Sequence, residues 1–315
     1  MPAVRRPYHG VMSFDPHRQI ITTPDGRDLE VVSAGPDDGR CFLWHSGTPS
    51  AAGIFAPLLA EAAKRGLRYV TFSRPGYAAS TARPGRSVGD VVGDVTVILD
   101  ALGFDSFICA GQSGGGPHAL ACAALLPDRV LATATLAGAA PWPAEGLDWF
   151  SGMGPENLDE FAASMKGAEA LTPVLERDAA HLSEVQPAGV AAALGGLVGD
   201  VDKQALTGEY AEYVTNSFRR GVSAGIAGWR DDDLAFVTPW GFEVTSIITP
   251  VAVWQGGEDR MVPKAHGAWL ASHIPGAEPH LLPDEGHLSL AITRFGHVLD
   301  SLLAMAETAP NPTHA

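Results

Sequence analysis

Three serines of the chain stand in the pattern Gly-x-Ser-x-Gly: Gly85-Arg86-Ser87-Val88-Gly89, Gly111-Gln112-Ser113-Gly114-Gly115 and Gly221-Val222-Ser223-Ala224-Gly225. The spacing suits a nucleophile carried on a strained strand-to-helix turn, where the flanking glycines let neighbouring backbone pass close to an exposed hydroxyl. With 36 glycines in 315 residues the pattern recurs by chance, so the flanking elements must decide. Only Ser113 has an apolar strand run before it, Ser106 to Ala110, and a helical run after it, Gly114 to Leu126. Ser87 follows Arg83-Pro84-Gly85 and reads as a helix N-cap, and Ser223 follows a helical segment ending in Arg219-Arg220 with no strand before it.

A serine hydroxyl is a weak nucleophile at neutral pH; it needs a base, and the base needs a carboxylate to hold its tautomer and stabilise the imidazolium. Asp259 lies in Gly256-Gly257-Glu258-Asp259, directly after the apolar run Val251 to Gln255, and His287 lies in Asp284-Glu285-Gly286-His287, after a strand near Glu278 to Leu282. The order Ser, Asp, His with both partners in loops after late strands completes a candidate triad, with Glu258 the nearest rival acid. Gly114 opens the helix after Ser113, so its N–H is the expected donor to a developing oxyanion, and its missing side chain leaves room for a carbonyl.

These residues must be positioned by alternating elements. Arg18 to Ala34 reads as two strands around the turn Pro24-Asp25-Gly26. Strand runs at 41–44, 68–72, 106–110 and 130–136 then alternate with helical runs near 55–65, 88–102 and 114–126. The rhythm stops at Pro141 and resumes at Pro250, with a helix near 264–273, a strand near 278–282 and a last helix near 288–306. The pattern predicts an α/β fold with a mostly parallel central sheet, helices on both faces and an inserted helical lid. The expected division is a core of 18–140 and 247–307, a cap of 141–246, an N-terminal extension of 1–17 and a flexible tail of 308–315.

A formal net charge of −15, with no Lys/Arg cluster, argues against a nucleic-acid partner. No apolar stretch reaches the roughly 18 residues that span a bilayer, and the N-terminus lacks the apolar run of a signal peptide, so a cytoplasmic protein without a membrane partner is expected. Cys41, Cys109 and Cys122 are odd in number and sit in apolar contexts, which suits reduced core residues. No metal spacing or cofactor fingerprint is present, so neither group is expected; the partner is a small-molecule substrate, and no feature specifies an oligomeric state.

Four segments together resemble the α/β-hydrolase superfamily, its serine-nucleophile branch, over nearly the whole chain outside the lid. Trp44-His45-Ser46-Gly47-Thr48-Pro49 resembles the His-Gly-x-Pro oxyanion loop, which implies the Thr48 N–H as the second oxyanion donor. Ser73-Arg74-Pro75-Gly76-Tyr77 resembles the Asp-Arg-Pro-Gly-Tyr-Gly loop of the family, and the Gly111 to Gly115 turn and the Gly256 to Asp259 acid loop complete the set. Ser46, Ser73 and Ala78 depart from the usual His, Asp and Gly. Serine at 113 separates the chain from haloalkane dehalogenases and epoxide hydrolases, which use aspartate there. The His-Gly-Gly-Pro-Gly and Gly-Gly-Ser-Trp-Gly segments of proline iminopeptidases are missing as well.

The leading expectation is hydrolysis of a small carboxylic ester, lactone or thioester through an acyl-serine intermediate. Trp142, Trp149, Phe150, Phe218, Trp229, Trp240 and Phe242 of the lid are candidates to wall its pocket, with His45 beside the oxyanion loop. His118 is read as packing under the turn, and His266, His273, His280 and His297 as surface residues. Two alternatives stay open: an amidase or aminopeptidase in which Glu145 or Glu243 holds a substrate ammonium, and a non-catalytic ligand-binding protein on the same fold.

Overall fold

In a computed structural model, residues 15 to 308 are described. Most of the expected N-terminal extension and tail therefore lies outside the described residues. The strands are β1 (His17–Thr22), β2 (Asp28–Ala34), β3 (Arg40–His45), β4 (Leu67–Phe72), β5 (Phe107–Gln112), β6 (Val130–Leu136), β7 (Val251–Gly256) and β8 (Glu278–Leu282). They form one eight-stranded sheet in the order β1-β2-β4-β3-β5-β6-β7-β8. The β1–β2 and β2–β4 pairs are antiparallel and every other neighbouring pair is parallel, so the expected mostly parallel α/β sheet is observed.

Helices α1 (Ala56–Ala63), α2 (Val91–Leu102) and α3 (Gly115–Leu125) follow the early strands. Between β6 and β7 come α4 (Pro155–Ser164), α5 (Ala168–Glu184), α6 (Val190–Ala193), α7 (Asp200–Ala205), α8 (Gly208–Gly221) and α9 (Ala227–Phe236), with no strand among them. The chain closes with α10 (Lys264–His273), α11 (Ser289–Thr293) and α12 (Phe295–Thr308). Where a single last helix is expected near 288–306, the chain forms α11 and α12 with Arg294 between them. Among the described residues no helix is long and apolar enough to cross a membrane.

Buried strands point alternate residues to opposite faces, and the two apolar layers follow that parity. Phe42, Trp44, Ile108, Ala110, Ala134 and Trp254 pack on the α12 side. Cys41, Leu43, Phe107, Cys109, Val251 and Val253 pack on the other, against α2, α3 and α10. All three cysteines are buried and unpaired.

Helix α9 of the insertion is anchored on the core by a buried carboxylate. Asp232 of α9 accepts hydrogen bonds from Arg74 Nη2 at 2.6 Å, Arg86 Nη2 at 2.6 Å, Tyr77 Oη at 2.8 Å and Thr48 Oγ1 at 2.8 Å. Burial alone would raise this carboxyl, but Arg74 and Arg86 outweigh it and hold Asp232 well below the usual carboxylate range. At the same junction Gly76 (φ +89°) lies against Gly228: a Cβ there would come 2.6 Å from the Gly228 nitrogen.

Two sequence readings change here. Helix α2 begins at Val91, and Ser87 stands one turn earlier with its N–H and hydroxyl both donated to Asp90, at 2.7 and 2.9 Å. Ser87 therefore stands outside the helix, tied to Asp90, the residue before the helix, instead of capping it. His266 is buried, not on the surface: its Nδ1 accepts the Ala140 N–H at 3.1 Å and its Nε2 donates to the Trp149 carbonyl at 2.8 Å.

Asp232→Ala strands two buried guanidiniums and two hydroxyls, so it is expected to lower the unfolding free energy by about 3–5 kcal/mol. Asp300→Ala removes only the exposed pair with Arg65, at under about 1 kcal/mol. Urea titrations of both variants and the parent compare the two; equal losses would refute the anchoring role of Asp232.

Candidate active site

Strand β5 runs into α3 through Ser113, whose φ of +54° lies in the left-handed region that non-glycine residues avoid. The turn survives because backbone on every side over-determines it. Ser113 donates its N–H to the Leu136 carbonyl at 2.9 Å, and its own carbonyl accepts the Gly116 N–H at 2.8 Å. A Cβ at Gly111 would collide with the Gly115 carbonyl, and one at Gly115 with the His45 carbonyl, so both flanking positions demand glycine. Neither rival serine has this setting: Ser87 is tied to Asp90, and Ser223 is exposed with its hydroxyl donated to the Arg220 carbonyl at 2.8 Å.

His287 lies in the β8–α11 loop and Asp259 in the loop after β7. The imidazole Nδ1 meets Asp259 Oδ2 at 2.8 Å with both side chains buried. Asp259 is fixed in turn, its Oδ1 accepting the N–H groups of Met261 and Val262 at 2.9 Å each and its Oδ2 the Gln255 side-chain amide at 3.1 Å. Burial opposes a charged imidazole here. The Asp259 carboxylate outweighs that penalty, with Asp202 adding to it, so His287 is held above its ordinary value. Glu258 is exposed, and only its backbone N–H engages the His287 loop, through the Glu285 carbonyl at 2.9 Å.

Ser113 and His287 both open onto a cavity of about 520 Å³ roofed by the insertion, together with Gly47, Thr48 and Gly114. Neither the Thr48 nor the Gly114 N–H donates to a protein acceptor among the described residues, which leaves two donors beside the serine. The loop that carries Thr48 is clamped from behind, since Arg74 donates to the carbonyls of Ser46 at 2.5 Å and Gly47 at 3.0 Å. At the departure Ser73, the hydroxyl donates to Glu30 Oε2 at 2.8 Å, so the acid comes from the neighbouring strand β2.

Of the aromatic candidates, Trp229 and Phe218 face the cavity. Six pocket candidates are corrected. His45 follows Trp44 in β3; Trp44 lines the cavity, so strand parity turns His45 to the opposite face, beside Cys122 at 3.6 Å and next to Phe72. Trp149 packs edge-on against Phe161 at 4.8 Å and donates Nε1 to the Ala140 carbonyl at 2.8 Å, while Trp142 and Phe150 flank it. Those three wedge the β6 exit loop against Val262 instead of walling the cavity. Trp240 packs in the core with Val88, Ile98 and Leu99, and its carbonyl accepts the Gly89 N–H at 2.7 Å. Phe242 is packed against that same layer.

Sequence reasoning missed the cavity residues Tyr210, Tyr213, Phe161 and Phe236, and a carboxyl pair, Glu160 and Asp233. No motif or spacing in the sequence marks these side chains, because which face of each insertion helix turns inward is set by segments distant in the chain. Trp229 donates Nε1 to Glu160 Oε1 at 2.8 Å. Burial, reinforced by Glu160, holds Asp233 well above the usual carboxylate range, and burial raises Glu160 too. Glu145 and Glu243, the expected ammonium holders, are both exposed and lie away from the cavity.

Comparison with known proteins places the chain among similar architectures. The family described as alpha/beta hydrolase fold matches residues 41–291. A non-heme chloroperoxidase of Streptomyces lividans is 26% identical over 152 residues, which is 48% of this chain and 55% of that protein, so the chain matches only about half the length of this relative. Many solved structures are similar in fold. A thermophilic esterase of Thermogutta terrifontis has TM-score 0.67 at 19% identity, covering 93% of this chain and 100% of its own. An enol-lactonase of Burkholderia xenovorans has TM-score 0.62 at 20% identity, covering 95% and 100%.

An NMR titration of the His287 ring is expected to show a midpoint above that of an ordinary imidazole. In Asp259→Asn the burial penalty stands with less opposition, so the midpoint falls; in Glu258→Gln it stays. A midpoint unmoved by Asp259→Asn would contradict the pairing.

Proposed function

The chain belongs to the alpha/beta hydrolase family, and on that footing we propose that it is a serine hydrolase that cleaves a small carboxylic ester, lactone or thioester through an acyl-serine intermediate. The observation that carries the reading is that His287, paired with Asp259 at 2.8 Å, lines the same cavity as a serine at φ +54°. The Ser113 hydroxyl adds to the substrate carbonyl and passes its proton to His287 Nε2. Asp259 stabilises the imidazolium, and the N–H groups of Gly114 and Thr48 hold the oxyanion. Collapse expels the alcohol, thiol or ring oxygen with the proton from His287, and water activated by the same imidazole then releases the acid and frees Ser113.

A cavity of about 520 Å³ fits a small substrate. Its apolar roof, including Leu194, Val214 and Phe218, suits an acyl or alkyl group. Kinship with an enol-lactonase keeps cyclic esters in the class. The three unpaired buried cysteines support a reducing, cytoplasmic setting.

A second reading, an amidase or aminopeptidase, is favoured by the Glu160 and Asp233 pair on the cavity wall. An ammonium seated there would draw a proton off the pair and leave both carboxylates charged.

Ser113→Ala is expected to lose all fluorophosphonate labelling and about 10⁴-fold or more in ester turnover. Peptide mapping of the parent locates the adduct, and label on Ser87 or Ser223 refutes the assignment. A panel of neutral and amine-bearing esters and anilides separates the readings: under the first, neutral esters are turned over fastest and Glu160→Gln leaves their KM unchanged. Preference for amine-bearing anilides, with KM raised by Glu160→Gln, establishes the second instead.

A further inference from the structure

The loop that carries His287 is held by a residue of the helical insertion. Asp202 of α7 is wholly buried. Its Oδ2 accepts the N–H of His287 at 3.0 Å, and its Oδ1 accepts those of Leu288 at 2.8 Å and Ser289 at 2.9 Å. These are the first N–H groups leading into α11, whose own cap residue Leu288 has no side-chain acceptor to offer. A carboxylate contributed from the insertion therefore does the work of an N-cap for the segment that begins with His287. The fit leaves no slack, since a Cβ at Gly286 would collide with the Asp202 carboxylate.

Two further bonds grip the same loop. Tyr210 of α8 donates its hydroxyl to the Leu288 carbonyl at 3.2 Å, and Gln112, next to Ser113, donates its side-chain amide to the His287 carbonyl at 3.1 Å. The backbone of His287 is thus fixed by the insertion on one side and by the nucleophile turn on the other. Burying a carboxylate is unfavourable unless its oxygens are well bonded, and here all three donors belong to the loop that carries His287. Asp202 does not line the cavity.

We propose that Asp202 is a positioning residue for His287, so that the helical insertion completes the triad as well as roofing the cavity. The inference rests on the reading of Ser113, Asp259 and His287 as a serine hydrolase triad. The groups that face His287 are Asp259 from the loop after β7, Asp202 from α7, Tyr210 through the Leu288 carbonyl, and Gln112 from β5. Glu285 of the same loop is engaged with Ser289, Thr293 and Arg294. Asp202 and Asp259 are the two carboxylates that favour the protonated imidazole.

Asp202→Asn keeps the shape but removes the charge and turns an amide toward three N–H groups. Its kcat on a neutral ester is expected to fall roughly 10- to 100-fold with KM within about twofold, and the acid limb of the kcat profile is expected to move to lower pH. Gly286→Ala displaces the carboxylate without deleting it and should reproduce the kcat loss. In the unaltered protein, the Leu288 and Ser289 amides should exchange with deuterium as slowly as those of α3. Parent-like kcat and an unmoved acid limb in Asp202→Asn overturn the proposal, as does fast exchange at Leu288 and Ser289 should both variants fail to fold. If Ser113→Ala retains turnover, the functional reading itself fails; if Ser113→Ala is inactive and Asp202→Asn is not, only the positioning role does.

Discussion

Asp232 collects two guanidiniums, a phenol and a threonine hydroxyl in a site from which water is excluded. The four partners come from three separate stretches of chain: Arg74 and Tyr77 from the loop after β4, Arg86 from the turn before α2, Thr48 from the loop after β3. The charges hold the cluster together, because a buried charge left without its counterpart is strongly destabilising. The carboxylate therefore couples two things that could otherwise vary independently, the seating of α9 on the core and the shape of the loop that lies against Ser113. Arg74 is the link, donating to Asp232 and to the carbonyls of Ser46 and Gly47.

Its neighbour in sequence behaves oppositely. Asp232 is held well below the ordinary carboxylate range and Asp233 well above it, although burial penalises both. On a helix, adjacent side chains point about 100° apart, so the first meets two guanidiniums and the second meets Glu160 at the cavity wall. One residue serves architecture while the next gives the cavity a titratable patch.

At the nucleophile turn the constraint is steric. Gly111, Gly115, Gly116 and Gly138 stand where β5, α3 and the β6 exit approach more closely than side chains allow, with Thr135 filling the gap beside the last two. That closeness keeps Ser113 at positive φ, because relaxing the turn would require several backbone segments to move together. The family departure at Ser73 is absorbed in the same economical way: Glu30 supplies the carboxylate, and Arg18 and Arg220 balance its charge.

Short apolar runs between turn signals were enough to set out the central strands, since a strand buried on both faces must be apolar throughout whatever its neighbours are; β6 begins and ends where the pattern placed it. The strand-turn-helix context likewise distinguished Ser113 from Ser87 and Ser223, because that distinction is local. Which side chains face the cavity was not local. His45 and Trp44 are adjacent and both plausible liners, and only the docking of β3 between β4 and β5 assigns Trp44 to the cavity side. The aromatic residues of the insertion divide between cavity, wedge and core according to how helices separated in sequence come to rest. Asp202 sits in an unremarkable Asp-Val-Asp, and nothing in that tripeptide marks which acid will turn inward. Its role exists only once α7 meets the His287 loop 85 residues later, a long-range contact whose partners the local pattern of a sequence does not encode.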